Sequence, residues 1–77
     1  MFEKTIGIIV LNLRKQRKIS QEELADMIDS NQVYISEIER GMKLPSIKTL
    51  YNLAKAFGMT LAEFVAIIEK AIEESAD

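Results

Sequence analysis

The sequence predicts an all-α fold of five short helices. Three observations predict this fold class. Apolar residues recur three and four positions apart in five separate segments, which is the spacing of one face of a helix. A serine, threonine or asparagine that can cap a helix stands at the start of four of these segments. The alternation of apolar and polar residues that is typical of half-buried strands is not sustained anywhere in the 77 residues.

The first helix is predicted from about Thr5 to Gln16, and a basic stretch from Lys15 to Lys18 marks its exit. The residues at helical spacing are Ile6, Ile9, Val10 and Leu13. Ile8 and Leu11 are also apolar but lie on another side of the helix, so one buried stripe does not account for them. These two side chains therefore need a second apolar neighbour.

The second helix is predicted to begin after Ser20, which caps it, and Glu23 completes a capping box three residues later. Its apolar face consists of Leu24, Ala25 and Ile28. A polar turn follows from Asp29 to Asn31. Asn31 can then cap a third helix from Gln32 to Arg40, whose inward residues are Ile35 and Ile38.

Gly41 is predicted to end the third helix in a left-handed conformation, and a loop from Lys43 to Pro45 follows. Ser46 caps a fourth helix, which is predicted from Ile47 to Phe57 and stops at Gly58. The residues of this helix that are expected to face inward are Ile47, Leu50, Leu53, Ala54 and Phe57.

The fifth helix is predicted from Leu61 to about Glu74, with a capping box formed by Thr60 and Glu63. One stripe of this helix carries Leu61, Phe64, Val65, Ile68 and Ile72. The breaks between all five helices are short, and the chain has room for one domain only, residues 1–77.

The composition excludes several kinds of site. The chain has no cysteine and no histidine, so it lacks disulfides, thiolate metal ligands and the usual general base. We therefore expect no metal, no cofactor and no enzymatic activity. No apolar run approaches the ~20 residues of a membrane span, and the start of the chain lacks the layout of a signal peptide. The expected setting is the cytoplasm.

The net charge of −2 argues against a nucleic-acid partner, but the charge is unevenly distributed. Residues 1–48 carry eight basic and seven acidic side chains, whereas residues 49–77 carry two basic and five acidic ones. Basic residues gather from Arg14 to Lys18 and from Arg40 to Lys48. This asymmetry suits a protein with one face toward an anion, although an ordinary solvated surface is the alternative.

The segment from Ser20 to Gly41 is the most informative part of the chain. Two short helices separated by a turn of three or four residues must cross at a steep angle. Ala25 supplies the small side chain that a close crossing needs. Such helix pairs occur in many α-helical proteins, so the geometry alone does not establish DNA binding.

Four ordered stretches carry a family resemblance: SQEELA from Ser20, YISEIERG from Tyr34, PSIKTL from Pro45 and LAKAFG from Leu53. With Ile6-Gly7 and Leu13-Arg14-Lys15 of the first helix, they resemble the Cro/C1-type (XRE) helix-turn-helix family of phage repressors and bacterial regulators. The resemblance covers about residues 6–66. It implies a five-helix, lambda-repressor-like domain whose second and third helices form the helix-turn-helix.

The resemblance also implies that the third helix lies in the major groove of DNA with its N-terminal residues at base edges. The implied base-reading residues are Gln32, Val33, Ser36 and Glu37. The implied phosphate contacts are Gln21, Arg17, Tyr34, Arg40, Lys43 and Lys48. Gln21 is further expected to brace Gln32. For each of these side chains, plain solvation at the surface is the alternative, and phosphates repel the carboxylate of Glu37.

Two further residues match a structural feature of the family. Arg14 and Glu39 are expected to form a partly buried ion pair between the first and third helices. The chain departs from the family at Asp29, where the turn usually has glycine because the residue is left-handed. Aspartate tolerates this conformation better than most residues, but its charge faces the expected DNA side.

A homodimer is expected because one recognition helix reads too few base pairs to select a site. The C-terminal helix, about residues 61–74, is the expected interface, through Leu61, Phe64, Val65, Ile68 and Ile72. Ile8 and Leu11 are additional candidates. The alternative is that the stripe of the fifth helix closes the core of the monomer.

Together these features predict a sequence-specific transcriptional regulator that binds double-stranded DNA as a homodimer at a short palindromic operator. The length and the fifth helix are also similar to those of controller proteins of restriction–modification systems. Two alternatives use the same fold: an antitoxin, and a protein-interaction module in which DNA binding is weak or secondary. The dependence of DNA affinity on salt separates DNA binding from protein interaction alone.

Overall fold

The structure is a computed structural model that describes residues 2–75, and it contains five α-helices and no strand within that range. The all-α prediction is confirmed. The helices are α1 (Phe2–Gln16), α2 (Gln21–Met27), α3 (Gln32–Glu39), α4 (Ile47–Ala56) and α5 (Leu61–Ser75). The first helix starts at Phe2 rather than Thr5. The third and fourth helices each end one residue earlier than predicted, because Arg40 and Phe57 are their C-caps.

The predicted N-caps hold their helices by side-chain hydrogen bonds. In α2, the backbone N–H of Glu23 donates to Ser20 Oγ over 3.0 Å, and the N–H of Ser20 donates to Glu23 Oε1 over 2.8 Å. Thr60 and Glu63 form the same reciprocal pair at the start of α5. Asn31 Oδ1 and Ser46 Oγ each accept one N–H of the helix they precede. These bonds satisfy N–H groups that have no partner inside their helix.

The first four helices share one kind of C-terminus. The residue after each C-cap is left-handed, with φ of 57° at Lys18, 55° at Asp29, 75° at Gly41 and 77° at Gly58. The N–H of the following residue then donates to a carbonyl five positions earlier, at 2.8–3.3 Å. This arrangement is the Schellman motif, which turns the chain sharply and allows helices to follow one another after short loops.

The core lies where the five helices meet. Its largest fully buried side chains are Phe64, Leu24, Ile35, Ile38, Leu53 and Val10. The rings of Phe57 and Phe64 meet edge to face with centroids 6.1 Å apart. The prediction that Ile47 faces inward is wrong, since 65% of its surface is exposed. Ile47 is the first residue of α4, and that end of the helix extends beyond the core, so the inward stripe starts at Leu50.

Helices α1 and α3 approach each other closely at Gly7. A Cβ at this position would collide with the backbone carbonyl oxygen of Ile38 and lie 2.8 Å from that of Glu39. Because the obstructing atoms are backbone, they cannot rotate away. Gly7 therefore sets the depth at which α3 rests on α1.

No single helix within residues 2–75 has the length and apolar character to cross a membrane; α4 and α5 pass that test only as a pair, bent by 104° at their break.

Candidate nucleic-acid interface

Helices α2 and α3 form a tight two-helix unit around the turn at residues 28–31. Asp29 takes the left-handed conformation that the sequence predicts there, with φ of 55°, and Ser30 N–H donates to Ala25 O over 2.8 Å. Ala25 is buried against α3, as a close crossing requires. Ile28, at the end of α2, is buried in the same core as Ile35 of α3. The unit is thereby fixed to the rest of the domain.

Helix α3 has one buried side and one outward side. Ile35 and Ile38 are completely buried. Gln32 and Val33, at the N-terminal end, are exposed, Val33 to 66% of its surface. The buried isoleucines anchor the helix, and the Val33 side chain is accessible from outside. The N-terminal end of α3 therefore lies outward, as entry into a groove requires.

The outward residues of α3 share a shallow depression with the start of α2. The depression is lined by Gln21, Gln32, Val33, Ser36 and Arg40. Arg40 folds back along the helix, and its Nε donates to Ser36 O over 3.3 Å. Glu37, the fourth predicted base-reading residue, is half-buried and lies outside this depression. The structure thus brings together three of the four predicted base-reading residues with two of the predicted phosphate contacts.

A chain of polar contacts leads from this surface into the protein. Gln32 Nε2 donates to Gln21 Oε1 over 3.3 Å, and Gln21 Nε2 donates to Glu39 Oε1 over 2.9 Å. The first contact is the bracing that the family resemblance implies for Gln21. The second was not predicted, because Gln21 and Glu39 are 18 positions apart and only the crossing of α2 and α3 brings them together.

Arg14 and Glu39 form an ion pair between α1 and α3. Arg14 Nε lies 2.7 Å from Glu39 Oε2, and Arg14 Nη2 donates to Glu39 Oε1 over 3.1 Å. Their side chains are 12% and 4% exposed. The hydrogen bond to Glu39 raises the pKa of Arg14 above its ordinary value. Arg14 Nη1 also donates to Ile19 O, so the pair fixes the loop before α2 as well as α3.

The remaining predicted phosphate contacts lie at three different places. Tyr34 and Lys48 line a second depression, between the turn and α4, together with Asp29 and Thr49. The Tyr34 hydroxyl lies 3.5 Å from Thr49 Oγ1. Lys43 is exposed in the loop between α3 and α4. The carboxylate of Asp29 adds negative charge to the side of the molecule that carries Lys48.

Arg17 has a structural role that the sequence did not reveal. Its Nε and Nη2 donate to Phe57 O over 3.1 and 2.8 Å, and its guanidinium lies 5.3 Å from the centre of the Phe57 ring. The side chain thus caps the C-terminus of α4, where a positive charge is favourable. No local pattern links positions 17 and 57, so only the fold could reveal this contact.

A family model described as helix-turn-helix, HTH_3, matches residues 10–64, which include α2, α3 and α4 entirely. The chain belongs to this helix-turn-helix family. The resemblance to Cro/C1-type regulators is thereby confirmed, as is the placement of the helix-turn-helix at α2 and α3.

Similar members of the helix-turn-helix family include regulators from several bacteria. An uncharacterized HTH-type transcriptional regulator, y4dJ, from Sinorhizobium fredii is 37% identical over 62 residues, which are 80% of each chain. The control protein C.MunI from a Mycoplasma species is 39% identical over 59 residues, 75% of this chain and 80% of its own. Among solved structures, the restriction-modification controller protein C.AhdI from Aeromonas hydrophila superposes with a TM-score of 0.75 and 27% identity, covering 80% of this chain and 94% of its own.

The fifth helix of this helix-turn-helix protein is divided between core and surface. Phe64 is completely buried and Ile68 is 7% exposed. The expectation that Phe64 forms part of an interface is therefore corrected, because its side chain closes the core of the monomer beneath α5. Ile68 is also buried but lines an apolar groove along α5, so its place in an interface stays a prediction. Val65 is 40% exposed, and Leu61 and Ile72 are half-buried. A stripe predicted from helical spacing alone cannot show where the core ends.

An apolar groove runs along the exposed part of α5. Its lining includes Val65, Ile72, Phe2, Leu44 and Pro45, and Glu69 and Glu73 stand among them. Phe2 and Leu44 were not predicted to lie here, because neither belongs to a helical stripe. Ile8 is exposed on α1 and does not line the groove, and Leu11 is half-buried. Among residues 2–75, no cluster of three or more His, Cys, Asp or Glu side chains could hold a metal ion.

Proposed function

We propose that this chain is a sequence-specific transcriptional regulator, and not an enzyme, that binds double-stranded DNA by inserting α3 into the major groove. One observation carries the proposal: α3 is anchored by fully buried isoleucines and turns an exposed glutamine and valine outward at its N-terminal end. A helix held in this way by a second helix matches the docking geometry of helix-turn-helix proteins. Membership of the helix-turn-helix family supports the proposal.

The proposed base contacts follow from the chemistry of the outward side chains. The carboxamide of Gln32 can pair with N6 and N7 of adenine, and Val33 can contact a thymine methyl group. Ser36 lies one turn further along the same depression and can donate to or accept from either base of a pair. Glu37 can accept from cytosine N4. We give Glu37 the weaker role, because its side chain is half-buried outside the depression.

The proposed phosphate contacts surround this surface. Gln21 and Arg40 line the same depression as Gln32, and Tyr34 and Lys48 line the neighbouring one. Lys43 can reach the backbone from the loop between α3 and α4. The Arg17 guanidinium lies at the C-terminus of α4, where two of its nitrogen atoms donate to Phe57 O, so a phosphate contact would use its remaining N–H groups. Contacts of this kind position a protein on DNA without reading its sequence.

We further propose that residues 1–77 act as one domain, that two copies bind a short palindromic operator, and that the dimer uses the exposed apolar side chains of α5. The similarity to a control protein and to a restriction-modification controller supports a regulatory role of that kind. The site of action would be the cytoplasm, where bacterial DNA lies.

The test compares two alanine variants on selected DNA. Sites bound by the protein are first selected from random duplexes. Gln32→Ala is then expected to lose discrimination at one base pair of each half-site, by about 1–3 kcal/mol. Lys43→Ala is expected to weaken binding to selected and random duplexes alike. The slope of log affinity against log salt concentration should become about one unit less steep, because one phosphate contact is lost. Equal effects of the two variants on both kinds of duplex would contradict the assignment.

A protein-interaction role is the second candidate, either as a general module or as an antitoxin. Two observations favour this candidate: the net charge is −2, and the carboxylate of Asp29 lines the same depression as Lys48. Negative charge at these places repels the phosphates of DNA. Affinity for DNA that falls steeply with salt supports the first proposal, since each phosphate contact releases a counterion. Affinity that is negligible at every salt concentration supports the second.

A further inference from the structure

We propose that Glu39 is a positioning residue for base recognition, which fixes through Gln21 the direction in which the Gln32 carboxamide faces DNA. Glu39 itself has no contact with DNA in this scheme. The role rests on the DNA-binding function proposed above, and it assigns to the Arg14–Glu39 ion pair a part in specificity as well as in folding.

The carboxylate of Glu39 is surrounded by donors. Its Oε2 accepts from Arg14 Nε over 2.7 Å, and its Oε1 accepts from Arg14 Nη2 over 3.1 Å and from Gln21 Nε2 over 2.9 Å. Only 4% of the side chain is exposed. An ionised carboxylate has acceptors and no donor. Only the NH2 end of the Gln21 side chain can therefore face Glu39.

This constraint passes from one carboxamide to the next. With its nitrogen toward Glu39, Gln21 turns its Oε1 toward Gln32, where it accepts from Gln32 Nε2 over 3.3 Å. An oxygen can only accept, so Gln32 must also present its nitrogen to Gln21. One N–H of Gln32 is used in this contact. The second N–H and the Oε1 remain, and they form the donor and acceptor that adenine N7 and N6 require.

A neutral carboxamide at position 39 would remove the direction. Glutamine offers both a donor and an acceptor. Because Arg14 has only donors and needs the one remaining oxygen, the new NH2 group can face Gln21. Gln21 would then turn its own oxygen toward position 39 and its nitrogen toward Gln32, which reverses Gln32 in turn. The outward donor and acceptor would exchange places in part of the molecules. Gln21 is itself a proposed phosphate contact, so its reorientation weakens binding to all duplexes alike, whereas the exchange at Gln32 changes the preference between duplexes.

The experiment measures the affinities of wild type and Glu39→Gln for the selected duplex and for the three duplexes that change the base pair facing Gln32. All affinities are measured at one salt concentration and at a temperature where unfolding curves show each variant to be folded. The preference for the selected base should fall about fivefold or more in Glu39→Gln, the lower end of what one bidentate contact contributes. Any change in affinity for random DNA, through the phosphate contact of Gln21, should apply equally to all four duplexes and leave the ratios of their affinities unaffected. Ile38→Val, the matched control for lost stability, removes one buried methylene next to Glu39 and should leave the preference intact.

A second variant tests the same pathway without altering the ion pair, so the test does not depend on the folding of Glu39→Gln. Gln21→Ala removes the middle of the polar chain and leaves the ion pair in place. It should lose the same preference as Glu39→Gln. The double variant Gln21→Ala/Glu39→Gln should lose no more, because both changes interrupt one pathway. Additive losses of preference would overturn the proposed route through Gln21.

Side-chain amide spectra of the free protein give a readout that needs no DNA. The NH2 protons of Gln21 should be well separated in the wild type, because one of them faces a carboxylate, and should return toward the values of a free glutamine in Glu39→Gln. Unchanged spectra overturn the polar chain itself. A uniform loss of affinity in Glu39→Gln with its preference intact overturns only the positioning role. A wild type that prefers no duplex overturns both this role and the proposed function, while the spectra still report the chain of contacts.

Discussion

Two residues, Lys18 and Asp29, have a backbone conformation that is unfavourable for residues with a Cβ atom. Both are left-handed, as are Gly41 and Gly58 at the equivalent positions of α3 and α4. A Cβ in this conformation crowds the following carbonyl oxygen, which costs roughly 1–2 kcal/mol, and aspartate reduces the cost through local hydrogen bonds. Lysine has no such compensation. The end of α1 therefore stores strain that the end of α3 lacks.

Replacing Lys18 by glycine should stabilise the protein. We expect the free energy of unfolding to rise by about 0.5–1 kcal/mol in Lys18→Gly, because relief of the backbone strain exceeds the entropy that glycine adds to the unfolded chain. The midpoint of urea unfolding measures the change. Gln16→Gly, two residues earlier and inside the last turn of α1, is the control and should destabilise by about 1 kcal/mol. A lower midpoint in Lys18→Gly would show that this strain is absent.

Residues with local partners were predictable from the sequence itself, whereas contacts between distant residues were predicted only where the family resemblance implied them, as for Arg14 and Glu39. Ser20, Asn31 and Thr60 cap the helices they precede because their partners lie three residues away. The capping of α4 by Arg17 joins positions 40 residues apart, and nothing near Arg17 signals it. The positions of Phe64 and Val65 on opposite sides of the core boundary likewise depend on how α5 rotates against α1 and α4. Helical spacing does not determine that rotation.

At the scale of the helices, the contact between α1 and α3 determines how the recognition helix is held. Gly7 brings the two backbones together, and the Arg14–Glu39 ion pair joins the same two helices about two turns further along α1. Both features act on the C-terminal half of α3, at Ile38 and Glu39. Gln32 and Val33 lie at the other end of the helix, where they are exposed and accessible to DNA.

Adding one methyl group at Gly7 tests this contact. Gly7→Ala should destabilise the protein, because its Cβ would collide with backbone carbonyls of α3 and overpacking of this kind costs typically 1–3 kcal/mol. The higher helix propensity of alanine offsets at most about 1 kcal/mol of this destabilisation. Asn12→Ala, at an exposed position of α1, is the control and should be neutral or slightly stabilising. Urea unfolding measures the free energy of unfolding of both variants. An equal increase in both would mean that α3 can move away from α1 without cost.

At the scale of the whole molecule, the dimensions favour two copies on DNA. The domain measures 35 × 24 × 23 Å and has one recognition helix. Successive major-groove faces on one side of DNA are about 34 Å apart, so a single copy can read only one of them. A two-fold pair places two α3 helices on one face of the duplex if the protomers meet through a surface away from the turn. The exposed part of α5 and its apolar groove offer such a surface.

A charge introduced into the groove tests which surface joins the protomers. Val65→Glu should leave the monomer folded, because Val65 is 40% exposed, but it should raise the dissociation constant of the dimer by roughly a hundredfold through the loss of two buried valines. Ala66→Glu adds the same charge on the same helix outside the groove and should leave the dimer intact. Sedimentation over a range of protein concentrations measures both constants. Because Val65→Glu weakens dimerisation, its affinity for the operator should also fall. The base preference within each half-site should stay the same. Dissociation caused by Ala66→Glu alone would instead place the interface on another face of α5.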